Sequence, residues 1–230
     1  MASASTTVDA HRTFIEAKKR LNTPEDRKTG FQLLKRAAAL GHTLAHEWLG
    51  AAYDYGLGTR PNRRLSFKHY RIAAEQGSVN GEYHIGVFYH AGIAVPKNYR
   101  LGIKWLRKAG RRNDPEAMHA LGHCYRYGTG VRKNAKKGFE LELKAAQRGV
   151  VEAQFSVGVC YSKGEGVEAN PSEAFRWYIR AAKMGHEDAA HNVAHFYKIG
   201  CGTKTNERKA AYWYHRADML KRKNPRIGPR

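Results

Sequence analysis

The sequence predicts an all-α fold, a right-handed α-solenoid of about six helix-turn-helix repeats of 36 residues. Residues at equivalent positions of successive repeats form a column, and three such columns lead to that prediction. A glycine recurs every 36 residues, at Gly50, Gly86, Gly122 and Gly158. Three residues later a tyrosine recurs, at Tyr53, Tyr89, Tyr125, Tyr161 and Tyr197. An alanine recurs six times, at Ala37, Ala73, Ala109, Ala145, Ala181 and Ala217. No insertion or deletion interrupts the register, so the chain is a tandem array.

The first helix of each repeat is predicted from its apolar face. Within 45–56, Leu49, Ala52 and Tyr53 stand at i, i+3 and i+4, the spacing of one helical face. A glycine such as Gly50 costs about 1 kcal/mol relative to alanine inside a helix. Its recurrence therefore indicates that another helix approaches closely at that point.

A glycine turn and an asparagine cap introduce the second helix. Gly56 and Gly58 are expected to end the first helix, because glycine adopts a positive φ at little cost. An asparagine then caps the second helix with its side-chain oxygen, at Asn62, Asn98, Asn134, Asn170 and Asn206. The segment Gly128-Thr129-Gly130 is thus one of five equivalent turns. It is not a phosphate-binding loop, since no lysine-serine or lysine-threonine pair follows it.

The repeats define a single domain over 9–224, preceded by a disordered N-terminus at 1–8 and followed by a basic C-terminal tail at 225–230. The predicted units are 9–44, a divergent cap, then 45–80, 81–116, 117–152, 153–188 and 189–224. No further helix follows to cover Tyr212, Trp213 and Tyr214. Either the basic C-terminal segment folds back over these aromatics, or this end of the array self-associates.

Two segments carry a resemblance to a known family. Residues 117–131 (AMHALGHCYRYGTGV) and 153–167 (AQFSVGVCYSKGEGV) resemble the pattern A-x-x-x-L-G-x-x-Y-x-x-G-x-G-V of the Sel-1-like repeat, a relative of the tetratricopeptide repeat. The resemblance spans about 45–218 and extends more faintly over 9–44. It implies an α-solenoid that acts as a protein-interaction scaffold or adaptor, generally without chemistry of its own. This chain has asparagine at the cap where the family usually has aspartate.

Composition narrows the class of protein further. The formal charge is +21, from 41 basic and 20 acidic residues, which favours solubility and encounter with acidic partners. No apolar run approaches the roughly 18 residues of a membrane span, and residues 1–14 contain no secretory signal. Three cysteines cannot form a disulfide framework, so the prediction is a cytoplasmic protein. The chain shows no nucleophile–base pair and no cofactor motif, and we predict no enzyme activity and no cofactor.

The predicted partner is another protein, a peptide or a domain, bound in a concave groove. In the related tetratricopeptide superhelix the first helices line that groove. The equivalent columns here begin at positions 44, 47, 51, 54 and 55, and Arg126 and Lys198 are almost their only basic residues. Their aromatics suit interface anchoring, and their histidines are expected to titrate near neutral pH. The residues predicted to line the groove are Glu47, Tyr83, His119, His123, Phe155, His191 and His195.

A metal site is the alternative interpretation of the histidines. Glu116, His119 and His123 are spaced to share one helical face, and the same spacing recurs at Asp188, His191 and His195. The two sets lie two repeats apart, and neither contains the helix-borne glutamate of a metalloprotease. We therefore interpret them as polar groove residues and predict no metal site.

The positive charge lies outside the predicted groove. The simpler interpretation is the solvated surface of a basic protein. The alternative function is a polyanion binder, for example of nucleic acid, whose affinity would fall steeply with salt. No recognised nucleic-acid module is present. The residues of this predicted convex edge are Arg63, Arg64, Arg100, Lys133, Lys136, Lys137, Arg208 and Lys209.

Overall fold

The computed structural model describes residues 4–223, and every regular element in that range is a helix. Apart from a 3₁₀ turn at Pro24–Asp26, the elements are α1 (Ala4–Leu21), α2 (Arg27–Ala39), α3 (Thr43–Tyr55), α4 (Arg63–Glu75), α5 (Val79–Ala91), α6 (Tyr99–Arg111), α7 (Pro115–Tyr127), α8 (Ala135–Gln147), α9 (Val151–Lys163), α10 (Pro171–Lys183), α11 (Glu187–Ile199) and α12 (Glu207–Lys223). The predicted fold class, an all-α solenoid of six helix-turn-helix repeats, is confirmed.

The ends of the array differ from the sequence-based boundaries. Helix α1 begins at Ala4, so residues 4–8, which the sequence led us to expect as disordered, are helical. The helix is anchored by the buried side chains of Ala10, Phe14 and Ala17, and no glycine or proline interrupts the turns that precede them. The other first helices begin two residues ahead of the predicted units, α3 for example at Thr43 instead of 45. The predicted basic tail, 225–230, lies outside the described residues.

The chain forms two compact halves, Met1–Asp114 and Pro115–Arg230. In the N-terminal half, α1 packs on α2, α3 on α4 and α5 on α6, and successive repeats join through α2 with α3 and α4 with α5. In the C-terminal half the same pairing joins α7 with α8, α9 with α10 and α11 with α12, and the repeats meet through α8 with α9 and α10 with α11. Within the two halves, α2, α4, α8 and α10 therefore each pack between the first helix of their own repeat and that of the next.

The asparagine column caps the second helices as predicted. Asn62, Asn98, Asn134, Asn170 and Asn206 each accept, through Oδ1, a hydrogen bond of 2.9–3.1 Å from the backbone N–H three residues later. The backbone N–H of the same asparagine donates to the carbonyl of the column tyrosine, for example Asn98 to Tyr89 at 2.8 Å. The cap thus ties the start of the second helix to the end of the first.

The glycine and tyrosine columns are explained by packing. A Cβ atom at Gly86 would lie 2.7 Å from Leu106 Cγ, so the close approach that the sequence indicated is confirmed. Tyrosines of the column meet a phenylalanine of the preceding second helix edge to face, with ring centroids 5.0–5.6 Å apart. The pairs are Phe31–Tyr53, Phe67–Tyr89, Phe139–Tyr161 and Phe175–Tyr197.

Candidate partner-binding surface on the first helices

The outward side of the first helices carries most of the exposed large hydrophobic side chains among residues 6–222. We call this side, at positions equivalent to 44, 47, 51, 54 and 55, the first-helix face. Among residues 6–222, ten large hydrophobic side chains are exposed, and six of them lie on this face. Four are in the N-terminal half and two in the C-terminal half: Val8, Ile15, Leu44 and Tyr55, then Tyr127 and Ile199. Each half therefore presents apolar groups on the side predicted to bind a partner.

Sequence reasoning did not select these six residues. It predicted the columns of this face but chose its binding residues from the 47 and 51 columns alone. The 55 column holds Lys19, Tyr55, Ala91, Tyr127, Lys163 and Ile199, a mixture that resembles an ordinary solvated surface. The signal available in the sequence is the position of Tyr55, two residues after the column tyrosine Tyr53 and therefore on a different side of the helix.

In the N-terminal half, the structure places both predicted residues on the first-helix face. Glu47 is half-buried and accepts a hydrogen bond of 3.1 Å from Asn80 Nδ2 on the next first helix. Tyr83 is half-buried, with its ring edge-on to His84 at 5.0 Å. These contacts hold the two side chains in place beside the more exposed Leu44 and Tyr55.

In the C-terminal half, the predicted residues divide into exposed and packed side chains. His123, His191 and His195 are exposed. Phe155 is half-buried, because its ring stacks on His186 at 4.4 Å and lies 5.8 Å from the ring of Tyr178. Phe155 thus packs on residues that follow it in its own repeat, and its side chain is less available to a partner than the sequence indicated.

His119 is the residue whose environment differs most from the prediction. Burial, followed by the nearby His123, lowers the pKa of His119 to about 4, although Glu152 opposes the change. The imidazole is therefore neutral at pH 7 and does not titrate near neutral pH as expected. Its Nδ1 atom is buried without a hydrogen-bond partner among the described residues. Nor do three histidine, cysteine, aspartate or glutamate side chains converge, within the described range, to hold a metal ion.

We expect the stability of the protein to fall as the pH drops from about 6.5 to about 4. A histidine whose pKa is lower in the folded chain than in the unfolded chain binds its proton on unfolding. Its contribution is complete above the ordinary value of 6.5 and is lost towards the folded value of about 4. His119 contributes at most about 3 kcal/mol, at about 1.4 kcal/mol per pH unit between the two values.

Urea denaturation across this pH range measures the effect. The matched variant is His119→Phe, because Phe155 occupies the equivalent position in the next repeat. This variant should show a flatter pH profile than the wild type. Identical profiles for the two proteins would contradict the assignment to His119.

Arg126 corrects the prediction that this position is a basic groove residue. Its side chain is only 4% exposed and donates a hydrogen bond of 2.7 Å to Glu142, which is 0% exposed. The other guanidinium nitrogen contacts Glu165 at 3.0 Å and donates to Tyr127 Oη at 2.8 Å. Glu142 stands in a column that is otherwise apolar or aromatic: Leu34, Tyr70, Leu106, Tyr178 and Tyr214. This buried ion pair holds Tyr127 in position on the first-helix face.

The predicted convex edge is exposed throughout, at Arg63, Arg64, Arg100, Lys133, Lys136, Lys137, Arg208 and Lys209. Three of the eight are engaged in local contacts. Arg63 pairs with Asp54 at 3.2 Å, while Lys137 and Lys209 lie over the rings of the column tyrosines. Part of this charge therefore supports the turn structure, and polyanion binding by the edge stays a prediction.

Comparison with known protein families identifies the six repeats. The profile of the Sel1 repeat family matches residues 19–42, 43–78, 79–114, 115–150, 151–186 and 187–217. A Sel1 repeat protein from Oxalobacter formigenes superposes with a TM-score of 0.79 at 29% identity, over 92% of this chain and 82% of that chain. No match exists among curated proteins.

Two further solved structures share the fold. A protective antigen present in uropathogenic Escherichia coli strains, displaying an SLR fold, gives a TM-score of 0.79 at 26% identity over 91% of this chain. The match covers 46% of the antigen's length. An immunity protein from Pseudomonas aeruginosa gives a TM-score of 0.62 at 21% identity, over 92% of this chain and 81% of that chain. Within the described range, each helix is too short or too polar to span a membrane.

Proposed function

The chain belongs to the Sel1 repeat family, and from this premise we propose that it is a non-catalytic scaffold that binds a partner protein on its first-helix face. Proteins of this family generally mediate protein–protein interactions. The observation that carries the proposal is the position of the exposed large hydrophobic side chains among residues 6–222: six of the ten lie on this side of the first helices, four in one half and two in the other. Exposed apolar side chains that recur on the same side of several helices indicate an interaction surface more strongly than single scattered ones do.

Each half, taken by itself, offers its own chemistry to a partner. In the N-terminal half the face carries the exposed apolar side chains of Val8, Ile15, Leu44 and Tyr55. Such a surface suits the apolar side of a partner helix or an extended apolar segment. In the C-terminal half Tyr127 and Ile199 stand among exposed histidines, which add hydrogen-bonding groups. Tyrosines are typical interface anchors.

We expect the double substitution Leu44→Ser and Tyr55→Ser to weaken partner binding by more than about 2 kcal/mol, roughly 30-fold, as for other interface anchors. Both side chains are exposed, so the helical signal and the melting temperature should barely change. The partner is first captured on the wild-type chain with a photo-crosslinker placed at Ala51, between them on the same face. Titration calorimetry of the purified pair then measures the loss.

The control removes an equal number of exposed apolar side chains from the second helices and the turn that follows them. Met184→Ser with Tyr212→Ser serves this purpose, because both residues are exposed and lie off the first-helix face. This control should bind like the wild type. If instead the control loses the partner and the first-helix variant keeps it, the proposed face is wrong.

A further inference from the structure

Helix α6 carries an unusual row of cations along its exposed side. Within Tyr99–Arg111 there is no acidic residue. Exposed basic side chains stand three or four residues apart and so share one face over about 16 Å of helix. We call this row the α6 stripe; its members are Arg100, Lys104, Arg107, Lys108 and Arg111. Only Arg100 belongs to the convex edge that the sequence indicated.

The opposite side of α6 is already used by the fold. Ile103, Leu106 and Ala109 are buried, and a Cβ atom at Gly102 would lie 3.0 Å from the backbone of α5. A basic amphipathic helix with a free apolar face could insert into a membrane surface, but this helix has none to offer. What α6 presents to other molecules is the stripe.

Part of the stripe already holds a carboxylate. The side chain of Glu82 is fully buried, and its Oε1 atom forms ion pairs with Lys108 Nζ at 2.9 Å and with the guanidinium of Arg112 at 3.4 Å. By contrast, Arg100, Lys104 and Arg111 form no ion pair within the described residues. Three exposed cations of the stripe therefore have no acidic partner among the described residues, whereas Lys108 on the same helix already binds the carboxylate of Glu82.

A depression of about 910 Å³ runs beside these cations. Its lining includes the half-buried side chains of Leu101 and Trp105, so apolar atoms lie between the charged groups. The Lys108 ammonium lies over the Trp105 ring, 5.0 Å from its centroid, and Lys97 lies 5.7 Å from that of Tyr99. The two aromatic rings here are thus each approached by a lysine.

We propose that the α6 stripe is a second interaction surface, which binds an acidic, extended segment of a partner protein that carries a large apolar side chain among its carboxylates. Carboxylates pair with Arg100, Lys104 and Arg111, while the apolar side chain contacts Leu101 and Trp105. Along 16 Å an extended strand places about five residues, and alternate residues fall at the spacing of the cations. This inference does not depend on the first-helix face, because it uses the second helix alone.

An acidic protein segment fits the stripe better than a nucleic acid does. Single-stranded nucleic acid is held by successive bases stacked on several aromatic rings, whereas Trp105 is the one aromatic residue among the described residues that line this depression. The stripe is also too short to follow more than two or three successive phosphates, so little affinity would come from counterion release.

The test uses a fluorescent peptide of about ten residues, in which glutamate alternates with alanine around one central phenylalanine. Fluorescence anisotropy measures its binding to the full chain at low salt. The triple variant Arg100→Glu, Lys104→Glu and Arg111→Glu should bind the peptide at least about tenfold more weakly. The matched control, Lys144→Glu with Lys183→Glu and Lys204→Glu, has the same net charge and should lose less than about twofold.

Two further arms separate the alternatives. Trp105→Leu, which copies the equivalent Leu141, should weaken the phenylalanine peptide but not a peptide with alanine in its place. An oligothymidylate of equal formal charge should bind more weakly than the peptide. The proposal is overturned if the peptide fails to bind, if both triple variants lose affinity equally, or if the oligonucleotide binds as tightly as the peptide.

Discussion

Replacing Arg126 with methionine is expected to destabilise the protein by about 3–5 kcal/mol, the usual cost of leaving a buried charge without its partner. Arg126 and Glu142 are 4% and 0% exposed, and their side chains meet at 2.7 Å. Without the guanidinium, the Glu142 carboxylate keeps only a long contact of 3.8 Å with the Cys160 thiol. The loss should appear as a lower midpoint in urea denaturation, with the slope unchanged.

The pH dependence of this variant is a second signature. Burial already raises the pKa of Glu142, and Arg126 opposes that change in the wild type. Removing the arginine should therefore raise the pKa further. A carboxyl whose folded pKa lies above its unfolded value loses stability as the pH rises from the unfolded towards the folded value. Arg126→Met should accordingly be less destabilised at acidic pH than at pH 8.

A rescue experiment distinguishes the ion pair from general damage. Adding Glu142→Leu to Arg126→Met restores the residue found at Leu106 in the preceding repeat, and stability should return to near the wild-type value. Arg176→Met is the matched control, because Arg176 pairs with Glu173 at the surface and should cost less than about 1 kcal/mol. An unrescued double variant would indicate that Arg126 acts through packing alone.

The sequence predicted those parts of the fold that every repeat needs in the same way. Asn134 must supply a cap and Gly122 must admit a neighbouring helix, so each is visible as a column at a fixed spacing. The pair of Arg126 and Glu142 occurs in one repeat only and joins two different columns. A periodicity argument averages over repeats, and it cannot show such a pair. An acid in the otherwise apolar column of Leu106 and Tyr178 was the one signal available.

The candidate site was less predictable than the fold, for a related reason. A column assigns a residue to a face but does not say what packs beside it. Phe155 occupies the same column as His191, yet Phe155 stacks on His186 while His191 is exposed. Exposure depends on neighbours from other columns, and these differ from repeat to repeat. For this reason the sequence could predict a binding face but could not select residues such as Tyr55, which has the highest fractional exposure among the large hydrophobic residues at 6–222.

Replacing Tyr197 with alanine should cost about 3–5 kcal/mol, as for other buried aromatic side chains. The ring is 9% exposed and packs edge to face on Phe175, with centroids 5.0 Å apart. Lys209 Nζ lies 5.3 Å from the ring centroid and would lose that contact too. Because Tyr197 belongs to the column found in five repeats, the result measures what this column contributes to the array.

The controls for Tyr197→Ala test whether the cost comes from burial. Tyr212→Ala removes an exposed tyrosine in the last repeat and should change stability by less than about 0.5 kcal/mol. Tyr197→Phe keeps the ring contact with Phe175 and should retain most of the stability. If alanine at position 197 is no more costly than alanine at 212, the column does not hold the repeats together by packing.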